Sequence, residues 1–120
     1  MSLKKTPLFY DTKTLAQCLD VTIAWLQINR RSQHPIPFKK IGRRFIRYER
    51  AEVLKWLGTE HLTLQFVSTK TLAKKLHVSV DWLKHNRRTA HPIPFKRLGR
   101  LVRYHLDDVA VFLREKSVKW

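Results

Sequence analysis

The chain contains the same segment twice. Phe9–Arg43 aligns with Phe66–Arg100 at an offset of 57 without a gap, and 21 of the 35 positions are identical. The string HPIPFK occurs in both copies, as His34–Lys39 and His91–Lys96, each time after Asn-Arg-Arg and shortly before Gly-Arg. Past the Gly-Arg pair the offset drops to 56, pairing Arg47-Tyr48 with Arg103-Tyr104 and Leu57 with Leu113. The first copy therefore carries one extra residue around Arg44–Ile46. This repeat constrains the fold more than any local propensity, because whatever one half forms the other must form too. Two copies are too few for a solenoid, so the chain reads as tandem domains, 1–60 and 61–120. The boundary falls near Gly58–Leu62, where Gly58 follows an apolar periodic segment as a helix C-cap does. At 43% apolar residues, each half can build a core, but a small and marginal one.

Each copy reads as the same series of elements. An apolar lead-in (Phe9-Tyr10; Phe66-Val67) precedes a capping Asp11 or Ser68. A helix follows, TKTLAQCL or TKTLAKKL, with Leu15/Leu19 and Leu72/Leu76 on one face. After a tight turn ending in Val21 or Val78, Thr22 or Ser79 caps a second helix, TIAWLQINRR or SVDWLKHNRR. Pro35/Pro37 and Pro92/Pro94 lack a backbone N–H and hold the preceding residue extended, which ends the helix. FKKIGRRFIRY and FKRLGRLVRY then read as hairpins turning at Gly42 and Gly99. A closing helix, Arg50–Leu57 or Asp108–Leu113, carries a stripe of Val53, Trp56 and Leu57, or Val109, Phe112 and Leu113. The fold class is α+β: two tandem winged helix-turn-helix domains, each helix–turn–helix–β-hairpin–helix.

Charge directs the functional reading. The chain has 25 Lys and Arg against 9 Asp and Glu, a formal net charge of +16. From Arg30 to Arg50 there are eight basic residues and one acid; from Lys84 to Arg103 there are seven and none. A generally solvated surface would mix the signs, whereas here the closing helices carry most of the acids, Glu49, Glu52, Asp107, Asp108 and Glu115. A basic helix end beside a basic hairpin suits the phosphates of double-stranded DNA. Arg30, Arg31, Lys39, Lys40, Arg43 and Arg44 are the phosphate-binding candidates of the first half. Lys84, Arg87, Arg88, Lys96, Arg97 and Arg100 are those of the second. Base reading falls to exposed positions of the second helices. The candidates are Thr22, Ala24, Gln27 and Ile28, with Ser79, Asp81, Lys84 and His85. Ala24/Asp81, Gln27/Lys84 and Ile28/His85 differ between the copies while the expected core matches, so the halves are expected to prefer different bases.

Other chemistries find little support. Trp25 and Trp82 sit beside an apolar Leu and read as core or rim rather than base-stacking residues. The six histidines lack ligand spacing with Cys or acid support, so no metal or other cofactor is expected. Cys18 reads as a small filler with no nucleophile's partners, one cysteine fits a reducing cytoplasm, and the chain is not expected to be an enzyme. His34 and His91 are read as phosphate contacts, loop caps or residues of no role. The N-terminal MSLKKTP lacks a signal peptide's apolar core, and no apolar run approaches the ~18 residues of a membrane span, so a cytoplasmic, nucleoid-associated protein is expected. A membrane partner is not expected, because the basic residues sit on loops and hairpins rather than along an amphipathic helix.

The run VSVDWL, a Pro-Phe strand, LGRLVRY and a closing D-V-x-x-F-L resemble the excisionase group of MerR-like winged helix-turn-helix proteins. The resemblance covers nearly all of both copies. It implies a DNA-binding protein of a mobile genetic element, with recognition helix and wing at Thr22–Arg31 with Lys39–Arg44 and at Ser79–Arg88 with Lys96–Arg100. It further implies a recombination directionality factor that bends attachment-site DNA and recruits a tyrosine integrase. Two departures are the tandem pair, where most members carry one unit, and the extra residue in the first hairpin. The expected DNA partner is a pair of direct half-sites, with self-association on DNA open. Two other roles share the reading: a transcription regulator of a mobile element, or a non-catalytic accessory subunit in replication that binds a protein or single-stranded DNA.

Overall fold

The first two helices of each unit begin where a side chain replaces the missing backbone partner of the first turn. Asp11 accepts from the Thr14 N–H at 2.7 Å ahead of α1 (Thr12–Leu19), and Ser68 from Thr71 at 3.1 Å ahead of α4 (Thr69–Leu76). Thr22 and Ser79 do the same for Trp25 and Trp82, opening α2 (Ile23–Asn29) and α5 (Val80–Asn86). The first helices end alike, at Asp20 and His77 in the left-handed region with φ of 55° and 56°. That conformation turns the chain back within two residues and crosses α1 with α2 and α4 with α5.

The computed structural model describes residues 7–59 and 63–115, and the chain divides into two compact units, Met1–Leu64 and Gln65–Trp120. Among the described residues it is an α+β structure with six helices and two three-stranded antiparallel sheets, one set per unit. In the first unit β1 (Phe9–Tyr10), β2 (Lys39–Ile41) and β3 (Phe45–Glu49) lie in the order β1-β3-β2, and α3 (Arg50–Leu57) follows. In the second, β4 (Phe66–Ser68), β5 (Lys96–Leu98) and β6 (Leu101–His105) lie in the order β4-β6-β5, followed by α6 (Leu106–Glu115). Residues 60–62, on which part of the expected domain boundary falls, lie outside the described residues.

Three expectations need correction. The apolar lead-ins are strands that pair with the far strand of the hairpin, Tyr10 opposite Tyr48 and Val67 opposite Tyr104. The second helices stop at Asn29 and Asn86, so Arg30 and Arg87 are cap residues and Arg31 and Arg88 lie beyond. The last helix starts at Leu106 rather than Asp108, and Leu113 is 40% exposed rather than part of the stripe. The extra residue of the first copy lies in the hairpin turn. Ile41 faces Phe45 across Gly42-Arg43-Arg44, whereas Leu98 faces Leu101 across Gly99-Arg100. Both glycines have positive φ, 65° and 63°, as a turn opening on glycine requires.

The cores follow the repeat. Leu15, Leu26 and Tyr48 in one unit, and Leu72, Leu83 and Tyr104 in the other, are at most 1% exposed. Between the prolines, Ile36 and Ile93 are equally buried, so the HPIPF segment is a loop whose middle residue fills the core. The Asn29 carboxamide oxygen accepts from the Ile36 N–H at 3.0 Å, and Asn86 does so for Ile93 at 2.9 Å. Each asparagine, the last residue of its helix, thereby anchors the following loop.

Ile36→Ala and Ile93→Ala should each cost about 2–5 kcal/mol, read by chemical denaturation. Hydrogen bonds from the backbone and then the hydroxyl of Thr14 hold the Asp11 carboxyl below its ordinary range. A depressed carboxylate stabilises the fold above its unfolded value near 3.8 and loses that contribution as pH falls through the folded value. Asp11→Ala should lower stability by about 1 kcal/mol at pH 7, a deficit that shrinks in melts below roughly pH 4.

Candidate nucleic-acid interface

A guanidinium sits at the junction of the elements in each unit. Arg30 Nη1 donates to the Tyr48 hydroxyl at 2.9 Å and to Thr12 Oγ1 at 3.3 Å. Arg87 repeats this with Tyr104 at 2.9 Å and Thr69 at 3.2 Å. Phe38 and Phe95 cover these cations, with ring centroids 5.9 Å and 5.8 Å from the guanidinium carbons. The same rings lean on Tyr48 and Tyr104 at 6.3 Å and 6.2 Å. Both arginines are half-buried. Counted in the sequence among phosphate contacts, they act first as ties between the end of the second helix, the first helix and the central strand. The sequence signal for this was the co-repetition of Arg, Phe and Tyr, which charge alone obscures.

With those two cations occupied, others form the surface. Arg31, Lys39, Lys40, Arg43 and Arg44 are exposed in the first unit, as are Lys84, Arg88, Arg97 and Arg100 in the second. Lys96 is half-buried, and Arg97 lies over the Phe95 ring at 5.6 Å. Lys39 pairs with Glu49 at 3.4 Å, an exposed contact of small energetic weight that lessens its value to a polyanion. Gln27, Arg30, Arg31, Phe38 and Lys40 line an open groove of about 440 Å³ between the helix end and the hairpin. Three of these five lining residues are cations and one is the Phe38 ring.

The second helices expose the positions at which the copies differ. Ala24, Gln27 and Ile28 are exposed on α2, and Asp81, Lys84 and His85 on α5. Ile28 is 69% exposed, a large apolar side chain with no core to fill. Thr22 and Ser79 are exposed too, but their hydroxyls serve the helix caps. Trp25 is half-buried, whereas Trp82, expected at the core or rim, is 49% exposed. His34 and His91 are exposed on the loops.

Sites for other chemistry are sparse. Among the described residues no group of three or more His, Cys, Asp or Glu could hold a metal ion, and no helix is long and apolar enough to cross a membrane. Burial pushes the Cys18 thiol up, which keeps it protonated and a poor nucleophile at neutral pH.

Tyr48→Phe and Tyr104→Phe should each cost roughly 1.5–3 kcal/mol, since each removes a partner of a half-buried cation. Arg31→Ala should move the melting temperature by no more than roughly 2–4 °C, because a surface substitution away from such ties is worth at most ~0.5 kcal/mol.

Compared with family models, curated proteins and solved structures, the chain matches none of them.

Proposed function

We propose that the chain is a sequence-specific double-stranded DNA-binding protein made of two tandem winged helix-turn-helix units. In this reading α2 and α5 are the recognition helices and the β2–β3 and β5–β6 hairpins are the wings. The observation that carries it is a pairing of basic elements. In each unit exposed cations lie both at the end of the second helix and on the hairpin, and the half-buried Arg30 or Arg87 holds those two parts together.

The exposed helix residues suggest what each unit reads. Ala24 and Ile28 offer methyl groups to thymine, and Gln27 can bond both edge atoms of adenine in the major groove. Asp81 accepts from the cytosine amino group, and Lys84 donates to guanine. The first unit should therefore prefer an A·T-rich half-site and the second a G·C-containing one. Two units of one polarity in one chain suit direct half-sites ~10–11 bp apart, and joining them raises the effective concentration of the second to about millimolar. The resemblance to excisionases supports a role as a directionality factor that bends attachment-site DNA beside a tyrosine integrase.

Quantitative binding to duplex, single-stranded DNA and RNA across a salt series tests this. Duplex should be preferred, and Arg43→Ala with Arg44→Ala should flatten the slope of log K against log salt by about 2, at ~0.9 for each phosphate no longer neutralised. Ile28→Ala should relax discrimination in the first half-site alone, by roughly 1 kcal/mol. Equal affinity for single strands would overturn the duplex reading. A footprint at a promoter, with excision unchanged by the protein, would replace the directionality role with transcription control.

A further inference from the structure

We propose that the hairpin tip of the first unit is an apolar wedge that enters the minor groove of duplex DNA and opens a base step; the proposal rests on the duplex-binding reading above. Ile41 and Phe45 are directly opposite one another on the last rung before the turn. Opposed residues point to the same face of a hairpin, with Cβ atoms ~5 Å apart, so the two side chains form one projection. They are 57% and 54% exposed. Neither fills the core, and two large apolar groups held at a strand tip are costly to leave in water.

The second unit shows that the repeat does not need this arrangement. There the equivalent residues are Leu98, 1% exposed, and Leu101, half-buried, and the turn is one residue shorter. The apolar tip and the added turn residue are features of the first unit alone.

The surroundings of the pair identify its occupant. The turn between them supplies Gly42, Arg43 and Arg44, both arginines exposed. The Arg47 guanidinium lies 5.4 Å from the Phe45 ring centroid, and Lys39 and Lys40 precede Ile41 in the chain. Positions 39–47 hold these five cations and no acid, and among the described residues Lys39 alone of the five forms an ion pair, to Glu49, so the charge around the apolar pair complements a polyanion. Apolar side chains among arginines match a minor groove, where phosphates flank a slot and Phe or Ile can part stacked bases. The most yielding target is a pyrimidine–purine step, TA or CA, beside the first half-site.

The test uses the full chain, the Ile41→Ala/Phe45→Ala double variant, and a duplex carrying the footprinted site with 2-aminopurine at the candidate step. Both positions are exposed, so the variant should melt as the parent does. The parent should brighten the probe and bend the duplex. The variant should lose the brightening, reduce the bend in circular-permutation gels, and bind roughly 10-fold more weakly with an unchanged salt slope, because no cation has been removed. A variant that binds, brightens and bends as the parent does overturns the wedge while leaving duplex binding intact. So does one that keeps those properties but loses self-association in sedimentation, which would make the pair a contact between copies. A parent chain with no preference for duplex over single strands overturns the duplex reading and the wedge together.

Discussion

The bond between Arg30 and the Tyr48 hydroxyl, with its twin between Arg87 and Tyr104, is the tie on which each unit depends. A seven-residue helix has no stability of its own in water, and a unit of about 60 residues buries too little to be generous with packing energy. One charge-assisted hydrogen bond, a second to Thr12 or Thr69 and an aromatic cover from Phe38 or Phe95 gather four segments around one guanidinium. Moving any of those segments would strand a half-buried cation. That penalty explains why the tie recurs in both copies while the surface around it drifts.

The tie also positions the surface. It joins the end of the second helix to the central strand, and Asn29 or Asn86 holds the first turn of the loop between them. Helix end and hairpin are thus presented together, with exposed lysines and arginines on both. The scaffold is common to the units, while the helix faces and the first hairpin tip are not. In the proposed reading, common parts supply docking and divergent parts supply discrimination, the division expected when phosphate contacts set position and base contacts set specificity.

How much of this could be read in the chain varies by element. The helix caps were legible because Asp11, Thr22, Ser68 and Ser79 each act on a backbone group three residues away. The hairpin turns were legible because Gly42 and Gly99 take a φ that other residues avoid. The outward faces of α2 and α5 were legible because the repeat supplies two solutions to one packing problem, and positions that differ in polarity tend not to touch the core. The third strand was not, since two or three residues show no alternation and their partners lie about 40 residues away. Ile36 and Ile93 were missed because a residue between two prolines carries no periodic pattern.

Arginine marks the boundary between the two kinds of knowledge. The repeat, the element order in outline, the excess of positive charge and its concentration in two stretches were all settled by the order of residues, because they depend only on identity and spacing along the chain. Which arginines are available was settled by the folded structure alone. Arg30 and Arg31 are neighbours of one chemical type, yet one is held by Tyr48 and Thr12 and the other faces solvent. Folding likewise leaves Ile41 and Phe45 open while it encloses Leu98. Exposure is set by the distance to atoms remote in sequence, and no local pattern records that distance.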